Sequence, residues 1–174
     1  MTVMLSEADV VRADRLAYMR NSGKVDGGTN HRSSGSGDLD IHKIGMRGEI
    51  AVSKLFGFPI DESIALGGDD GAPDIYIGEY RAEIKSCKYS PPIIKLDTLM
   101  EFRSDLVVVC YCPPIGSRFE SRIEVWGCVS RVRFLKMYSQ QDFGHGERVV
   151  LPSEKLAPIA VLSQYFSERY KVQA

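Results

Sequence analysis

The hydrophobic and polar positions of this 174-residue chain follow two periods, one helical and one strand-like. Residues 7–20, and again residues 40–56, place apolar side chains three and four positions apart, which predicts two amphipathic helices. The second helix would begin near Asp38 or Asp40 and stop at Gly57. Between the helices, residues 21–37 are rich in glycine, serine and asparagine, and we expect a flexible loop there.

The second half of the chain has mainly strand-like patterns. Two short β-rich runs at residues 75–77 and 83–85 lie on either side of a glycine-containing turn, which predicts a β-hairpin. The nearly continuous apolar run at 106–112 predicts a buried central strand, and residues 123–129 predict the next strand. Three further elements complete the prediction: a basic helix at 132–138, an edge strand at 149–151 and a short amphipathic helix within 153–174.

This order of elements predicts an α/β fold, with a central mixed β-sheet flanked by helices, as a single domain over residues 1–174. The hydrophobic content of 44% and the charged content of 26% are ordinary for a globular protein. No apolar run approaches membrane-spanning length, and residues 6–14 are too polar for a signal peptide. We therefore expect a cytoplasmic protein without a membrane partner.

The charge is unevenly distributed, although the net charge is only −1. Seven of the 23 acidic residues but one of the 22 basic residues lie between positions 61 and 83, which leaves a net charge of +5 on the remainder. An acidic pocket in a mildly basic body suits a metal site that must also attract a polyanion.

The predicted hairpin carries the candidate chemistry. Glu83 and Lys85 share one face of the second strand and Ile84 takes the other, while Asp74, after Pro73, can reach the face of Glu83. Magnesium is often held by one or two carboxylates with water and phosphate, so Asp74 and Glu83 are candidate ligands. Lys85 can orient an attacking water or stabilise charge on a phosphate. An ordinary surface Glu–Lys pair is the structural alternative.

Pro73-Asp74 followed by Glu83-Ile84-Lys85 resembles the signature of the PD-(D/E)xK nuclease superfamily, which includes many restriction enzymes and Holliday junction resolvases. The signature covers only about twenty residues. The resemblance implies a restriction-endonuclease-like sandwich and a Mg²⁺- or Mn²⁺-dependent hydrolysis of phosphodiester bonds. It also implies that Asp74, Glu83 and the backbone carbonyl of Ile84 bind the metal, while Lys85 positions the nucleophilic water.

The family often adds a glutamate on the preceding helix, and Glu49 is placed for that role, holding the water shell of the metal or a second ion. On the helical wheel Glu49 lies at the edge of the apolar stripe, where a carboxylate is costly to bury unless it is paired or metal-bound. A glutamate that reaches water at the rim is the alternative. Gly45 and Gly48 would let the helix pack close to a sheet and bring Glu49 within reach.

Four basic residues are candidate contacts to nucleic acid. Lys43 and Arg47 fall opposite the apolar stripe of their helix, and Arg131 and Arg133 make the later helix basic. DNA is the favoured partner, although no residue pattern reads bases, and RNA stays open. A homodimer would suit cleavage of both strands of a duplex.

The expected protein is a compact endonuclease of a bacterial or phage-infected cell. The alternative is a non-catalytic module that binds nucleic acid or protein on the same fold. The presence of all four expected polar residues favours the nuclease. A zinc protein is disfavoured because the four cysteines form no C-x-x-C pair.

Overall fold

The computed structural model describes residues 1–26, 36–63, 72–144 and 146–170. Its helices are α1 (Glu7–Asp26), α2 (Ser36–Phe56), α3 (Arg131–Met137) and α4 (Ile159–Tyr170). Its strands are β1 (Thr2–Met4), β2 (Ile75–Ile77), β3 (Tyr80–Cys87), β4 (Ile93–Leu96), β5 (Leu106–Tyr111), β6 (Arg122–Ser130), β7 (Ser139–Asp142), β8 (Glu147–Pro152) and β9 (Ala157–Pro158). The fold is therefore α/β, as predicted.

The strands form two sheets. The larger has the order β1-β6-β5-β3-β2, with β9 also paired to β6, and it is mixed because β3 and β5 are parallel while its other pairs are antiparallel. The smaller is antiparallel, in the order β4-β8-β7. The predicted central strand is confirmed as β5, which is buried along its length up to Tyr111.

The larger sheet is the middle layer of the described fold. Alternating residues of its strands, such as Ile84 and Val108, pack with the apolar sides of α1, α2 and α4. The intervening residues, such as Val107 and Val109, pack against the smaller sheet and Phe134 of α3. Because both faces are covered, β5 must be apolar at every position, which explains its unbroken hydrophobic run.

Gly48 lets α2 lie close to β3, because glycine has no side chain at this contact. A Cβ atom at this position would overlap Ser86 Oγ and stand 3.2 Å from Ser86 Cβ, so even a methyl group there requires the Ser86 hydroxyl to rotate and leaves a tight contact with its Cβ. A Cβ at Gly45 would meet nothing within 4 Å. The prediction that both glycines permit close packing is therefore confirmed for Gly48 and wrong for Gly45.

The predicted flexible loop at 21–37 is wrong at both ends. Residues 21–26 continue α1, and α2 begins at Ser36, while residues 27–35 lie outside the described residues. Ser22 shows why a polar sequence can stay helical here, because its hydroxyl donates to the carbonyl of Tyr18 one turn earlier. The side chain is thus satisfied within the helix and does not draw the backbone into a turn.

The C-terminal part departs from its prediction in one strand. The predicted edge strand at 149–151 belongs to β8, which lies between β4 and β7 and is the centre of the smaller sheet. Its neighbours are a polar strand and a segment after a proline pair, so neither has a clear strand pattern. The C-terminal helix is confirmed as α4, where Phe166 packs edge-on against Phe56 with ring centroids 6.0 Å apart. Among the described helices, none is long and apolar enough to cross a membrane.

We predict opposite effects from the same substitution at the two glycines of α2. Gly48→Ala should lower the free energy of unfolding by about 1–3 kcal/mol, because the added methyl group overpacks the contact with Ser86. Gly45→Ala should raise it by up to about 1 kcal/mol, because open space surrounds that position and alanine favours the helix. Urea denaturation monitored by circular dichroism measures both values.

Ser86→Ala provides the control for this contact. Combined with Gly48→Ala, it removes the atom that stands closest to the added methyl group and should restore part of the lost stability. Equal stabilities for the Gly48→Ala and Gly45→Ala proteins would contradict the close approach of α2 to β3.

Candidate functional site

The β2–β3 hairpin sets the positions of the predicted acids. Ile75 pairs with Ala82 and Ile77 with Tyr80, so the turn is Gly78-Glu79 and Tyr80 already belongs to β3. Gly78 adopts a φ of 63°, which glycine allows at little cost. The predicted hairpin is confirmed.

Glu83 and Lys85 lie on the face of β3 that is opposite to the helices. They pair in register with Val107 and Val109, whose side chains face the smaller sheet, whereas Ile84 is buried on the helical side. Lys85 Nζ stands 2.5 Å from Glu83 Oε1, and the two side chains are 36% and 22% exposed. This pair is accessible to solvent, and as a surface ion pair it contributes little to stability.

Asp74 joins this pair from the start of β2. The register of the hairpin, continued by one residue, brings Asp74 opposite Glu83, and its Oδ2 accepts a hydrogen bond from Ile84 N at 2.7 Å. Burial raises the pKa of Asp74 above its ordinary value, and the charge of Glu83 adds to that effect, whereas the hydrogen bond from Ile84 opposes it. The three hairpin residues of the predicted site therefore act on one another.

Glu49 reaches the same region from α2, where it is only 5% exposed. Arg20 of α1 donates from Nη1 to both of its carboxylate oxygens, at 2.9 and 3.2 Å. Burial raises the pKa of Glu49 to about 8, and the charge of Asp74 contributes, while Arg20 opposes the shift. Glu49 is thus a buried and paired carboxylate, and the alternative of a glutamate reaching water at the rim is wrong.

Backbone contacts join the helical side of the site to the hairpin. Arg20 Nη2 donates to the carbonyl of Asp61 at 2.8 Å, and Asp61 N donates to the carbonyl of Asp74 at 3.1 Å. Ile60 and Ile75 form an antiparallel bridge beside these contacts. The structure therefore brings the four predicted residues, Glu49, Asp74, Glu83 and Lys85, into one region at the edge of the larger sheet.

Arg20 also belongs to the candidate site, although the sequence motifs do not include it. Ala13, Leu16 and Ala17 form a buried apolar stripe along α1. Arg20 follows them at helical spacing and continues this stripe. A charged residue in line with a buried stripe is a signal for an internal ion pair, since burial of an unpaired charge is costly.

Negative charge exceeds positive charge in this region. Four carboxyl groups and two cations share it: Glu49, Asp61, Asp74 and Glu83 with Arg20 and Lys85. The carboxylate of Asp61 is hydrogen-bonded to the backbone and hydroxyl of Ser63. Burial is the main cause of the raised pKa values of Glu49 and Asp74, and a nearby divalent cation would oppose it by stabilising the ionised carboxylates.

The donor set fits magnesium or manganese in one respect and not in another. Asp74 and Glu83 are adjacent hard oxygen donors, and magnesium requires only one or two protein carboxylates together with water. However, nowhere in the described ranges do three or more His, Cys, Asp or Glu side chains form a group that could hold a metal ion. The arrangement therefore suits an ion with an incomplete protein shell and does not suit an all-protein cage.

The candidate nucleic-acid contacts divide into two pairs. Arg131 and Arg133 are exposed on α3, so a partner could reach both side chains. Lys43 is half-buried on α2, and its Nζ lies 3.2 Å from Asp14 Oδ2, so Asp14 competes with any phosphate for this lysine.

Arg47 is a correction, because its side chain is 1% exposed and cannot reach nucleic acid. It lies between Asp14 of α1 and Glu120, with nitrogen–oxygen distances of 3.2 Å to each. The helical wheel placed Arg47 on a solvent face, but α1 covers that side of α2. Its charge therefore serves an internal network.

Comparison of the sequence with protein-family models and with curated proteins finds no match. The resemblance to the PD-(D/E)xK nucleases therefore rests on the motif residues and on the geometry described above.

We predict that the metal-free protein loses stability as the pH rises from about 4.5 to about 8. The lower limit is the ordinary pKa of a glutamate, and the upper limit is the pKa of Glu49 in the folded protein. A carboxyl group with a raised pKa binds its proton more tightly in the folded state, so its stabilisation is complete below the lower value and is lost as the pH passes the higher one. Urea denaturation in EDTA at several pH values across this window measures the slope.

Glu49→Gln is the control, since glutamine has a similar shape and does not titrate. This variant should be less stable at low pH, where its amide replaces the protonated acid imperfectly, and its stability should vary less across the same window. An identical pH dependence in both proteins would show that Glu49 does not titrate in this range.

Proposed function

We propose that this chain is a metal-dependent nuclease that hydrolyses phosphodiester bonds of DNA as an endonuclease with a restriction-endonuclease-like sandwich. The main support is the convergence of Glu49, Asp74, Glu83 and Lys85 at one sheet edge with an excess of negative charge. A mixed sheet between helices and a second layer is compatible with that fold.

In this proposal Asp74, Glu83 and the carbonyl of Ile84 hold Mg²⁺ or Mn²⁺. Glu49 holds the water shell of the ion or a second ion. When bound, the ion would supply Lewis-acid stabilisation of the phosphate and lower the pKa of a bound water. The raised pKa values of Glu49 and Asp74, caused mainly by burial and in part by neighbouring carboxylates, support this assignment, because a nearby cation would stabilise the ionised form of both groups.

Lys85 positions the nucleophilic water and stabilises the charge on the phosphate. Its ammonium group lies next to Glu83 and its side chain is partly exposed, so it can contact both a water and a phosphate oxygen. Arg20 is a positioning residue, because its two hydrogen bonds fix the direction of the Glu49 carboxylate.

Arg131 and Arg133 would bind the phosphate backbone next to the site. Arg131 N donates to the carbonyl of Asp105, and Asp105 Oδ2 accepts from Arg81 N, both at 2.9 Å. The first turn of α3 is thereby joined to the start of β3, two residues from Glu83. The favoured partner is DNA, in the cytoplasm of a bacterial or phage-infected cell, and a homodimer would allow cleavage of both strands of a duplex.

A non-catalytic binding module is the second candidate function, and one observation favours it. Glu49 is already paired with Arg20, and Glu83 with Lys85, so internal cations neutralise part of the charge that a metal would neutralise. In a module these ion pairs would be structural, and α3 would supply the binding surface.

Titration calorimetry with Mn²⁺ separates these two candidates. We predict that the wild-type protein binds Mn²⁺ and that Asp74→Asn weakens binding at least tenfold, because asparagine can still accept the hydrogen bond of Ile84 but lacks the charge. Asp97→Asn is the matched control, since Asp97 pairs with Arg148 elsewhere in the fold and should not affect Mn²⁺ binding. Absence of binding, or equal binding by the Asp74→Asn protein, would favour the module.

Replacement of Lys85 tests the catalytic role. Lys85→Ala should slow DNA cleavage in Mg²⁺ by roughly 10²–10³-fold, since it removes a group that stabilises the transition state. DNA affinity should stay within a few-fold of wild type in a filter-binding assay.

Lys54→Ala is the matched control for Lys85→Ala. Lys54 Nζ also lies 2.5 Å from a carboxylate, that of Asp9, but this pair belongs to the α1–α2 side of the molecule. The control should cleave DNA at the wild-type rate. A Lys85→Ala protein that does the same would refute the proposed mechanism.

A further inference from the structure

An open pocket of about 280 Å³ adjoins the candidate metal site. Pro59, Pro73 and Tyr76 contribute to its lining, together with the bridged residues Ile60 and Ile75. This volume lies near the lower end of the range for small-molecule sites, roughly 300–1,000 Å³. The pocket therefore suits a ligand group of small size.

The pocket lining is apolar where it would meet a ligand. Asp61 also belongs to the lining, but its carboxylate oxygens accept hydrogen bonds from the backbone and hydroxyl of Ser63 at 2.8 and 2.9 Å. Pro59, Ala72 and Tyr76 are the exposed apolar residues of the lining, while Pro73, Ile60 and Ile75 are buried beneath them. A proline ring and an aromatic ring favour the flat face of a heterocycle over a phosphate.

The pocket is joined to the candidate metal site by a peptide bond and by a hydrogen bond. Pro73 immediately precedes Asp74, and Asp61 N donates to the carbonyl of Asp74 at 3.1 Å. Tyr76 follows Asp74 by two residues on the same strand, a distance of about 7 Å between Cα atoms. A base attached to a phosphate near Asp74 is therefore within reach of the pocket.

Tyr76 has the exposure that a stacking residue requires. Its side chain is 55% exposed, while the residues on either side of it in β2 are buried. It lies opposite Arg81 in the hairpin, so it shares the face that carries Glu83 and Lys85. This face of β3 carries the cations Arg81 and Lys85 on either side of Glu83, and an exposed aromatic ring beside basic side chains is a usual platform for bases of a single strand.

We propose that this pocket receives an unpaired nucleobase, stacked on Tyr76, from the strand whose phosphate lies at the site. The inference deepens the proposed function and rests on it. It assigns the substrate class as nucleic acid with an unpaired nucleotide next to the cleaved bond, such as a single strand, a flap or a frayed end. Bases of an intact duplex are stacked and paired with each other and cannot enter without first being flipped out.

The test uses an oligodeoxynucleotide that contains 2-aminopurine, whose fluorescence falls when the base stacks on an aromatic ring. The protein carries Lys85→Ala so that the strand stays intact, and binding is measured by fluorescence anisotropy to the single strand and to its duplex. Adding Tyr76→Ala should weaken single-strand binding roughly 5- to 100-fold, abolish the fluorescence change, and leave duplex binding within about twofold.

Two matched variants serve as controls. Tyr76→Phe keeps the ring and should retain both affinity and fluorescence change. Tyr18→Ala removes another exposed tyrosine, 64% exposed on α1, and should change neither. Equal effects of Tyr76→Ala on single strand and duplex, or no effect on either, would overturn the assignment of the pocket.

Cleavage assays of proteins with Lys85 intact distinguish the two proposals. If the wild-type protein cleaves nothing in Mg²⁺ or Mn²⁺ but the Tyr76-dependent fluorescence change persists, the nuclease proposal fails and the pocket assignment stands. If it cleaves single strand and duplex equally, and Tyr76→Ala does not alter that ratio, the pocket assignment alone fails. A protein that binds neither strand form refutes both.

Discussion

The close approach of α2 to β3 at Gly48 is the constraint on which the candidate site depends. Because position 48 has no side chain of its own, the backbone of α2 packs directly on the side chains of Ser86 and Ile84, and the next residue, Glu49, is held near the sheet edge. A larger residue at position 48 would move the Glu49 carboxylate away from the hairpin, since packed interiors do not deform without cost. The cover of α1 over α2 completes the arrangement, because it brings the guanidinium of Arg20 to the same carboxylate. The contact of Gly48 with the Ser86 side chain therefore helps to set how closely the helical half and the strand half of the site approach each other.

The sequence predicts the strand half of the site well and the helical half only in part. The faces of Glu83 and Lys85 follow from strand alternation, which is a local property and needs no knowledge of the rest of the fold. The environments of Arg20 and Arg47 depend on which sides of α1 and α2 are covered, and that depends on the number of layers. A single helical wheel assumes one buried side, whereas α2 is enclosed by α1 on one side and by the sheet on the other. Internal ion pairs follow from that enclosure and carry no short-range sequence pattern.

In the absence of a cation, the buried carboxyl groups of the site lower the free energy of unfolding. Glu49 and Asp74 are both removed from water and act on each other unfavourably, and the single guanidinium of Arg20 compensates only part of this cost. Protonation of Glu49, whose pKa is about 8, relieves part of this cost at neutral pH, and a bound cation would relieve it while the carboxylate stays ionised.

Successive residues of β3 alternate between the hydrophobic core and the candidate site. Ala82 and Ile84 face the helices while Glu83 and Lys85 face the other way, so removal of one residue would exchange the two sets and bury both charges. The length of this strand is therefore as constrained as its composition. Substitutions on the outer face can alter the chemistry of the site without disturbing the fold, but insertions and deletions cannot. Any divergence of this site among descendants of the chain would have to proceed by exchange of side chains at fixed spacing.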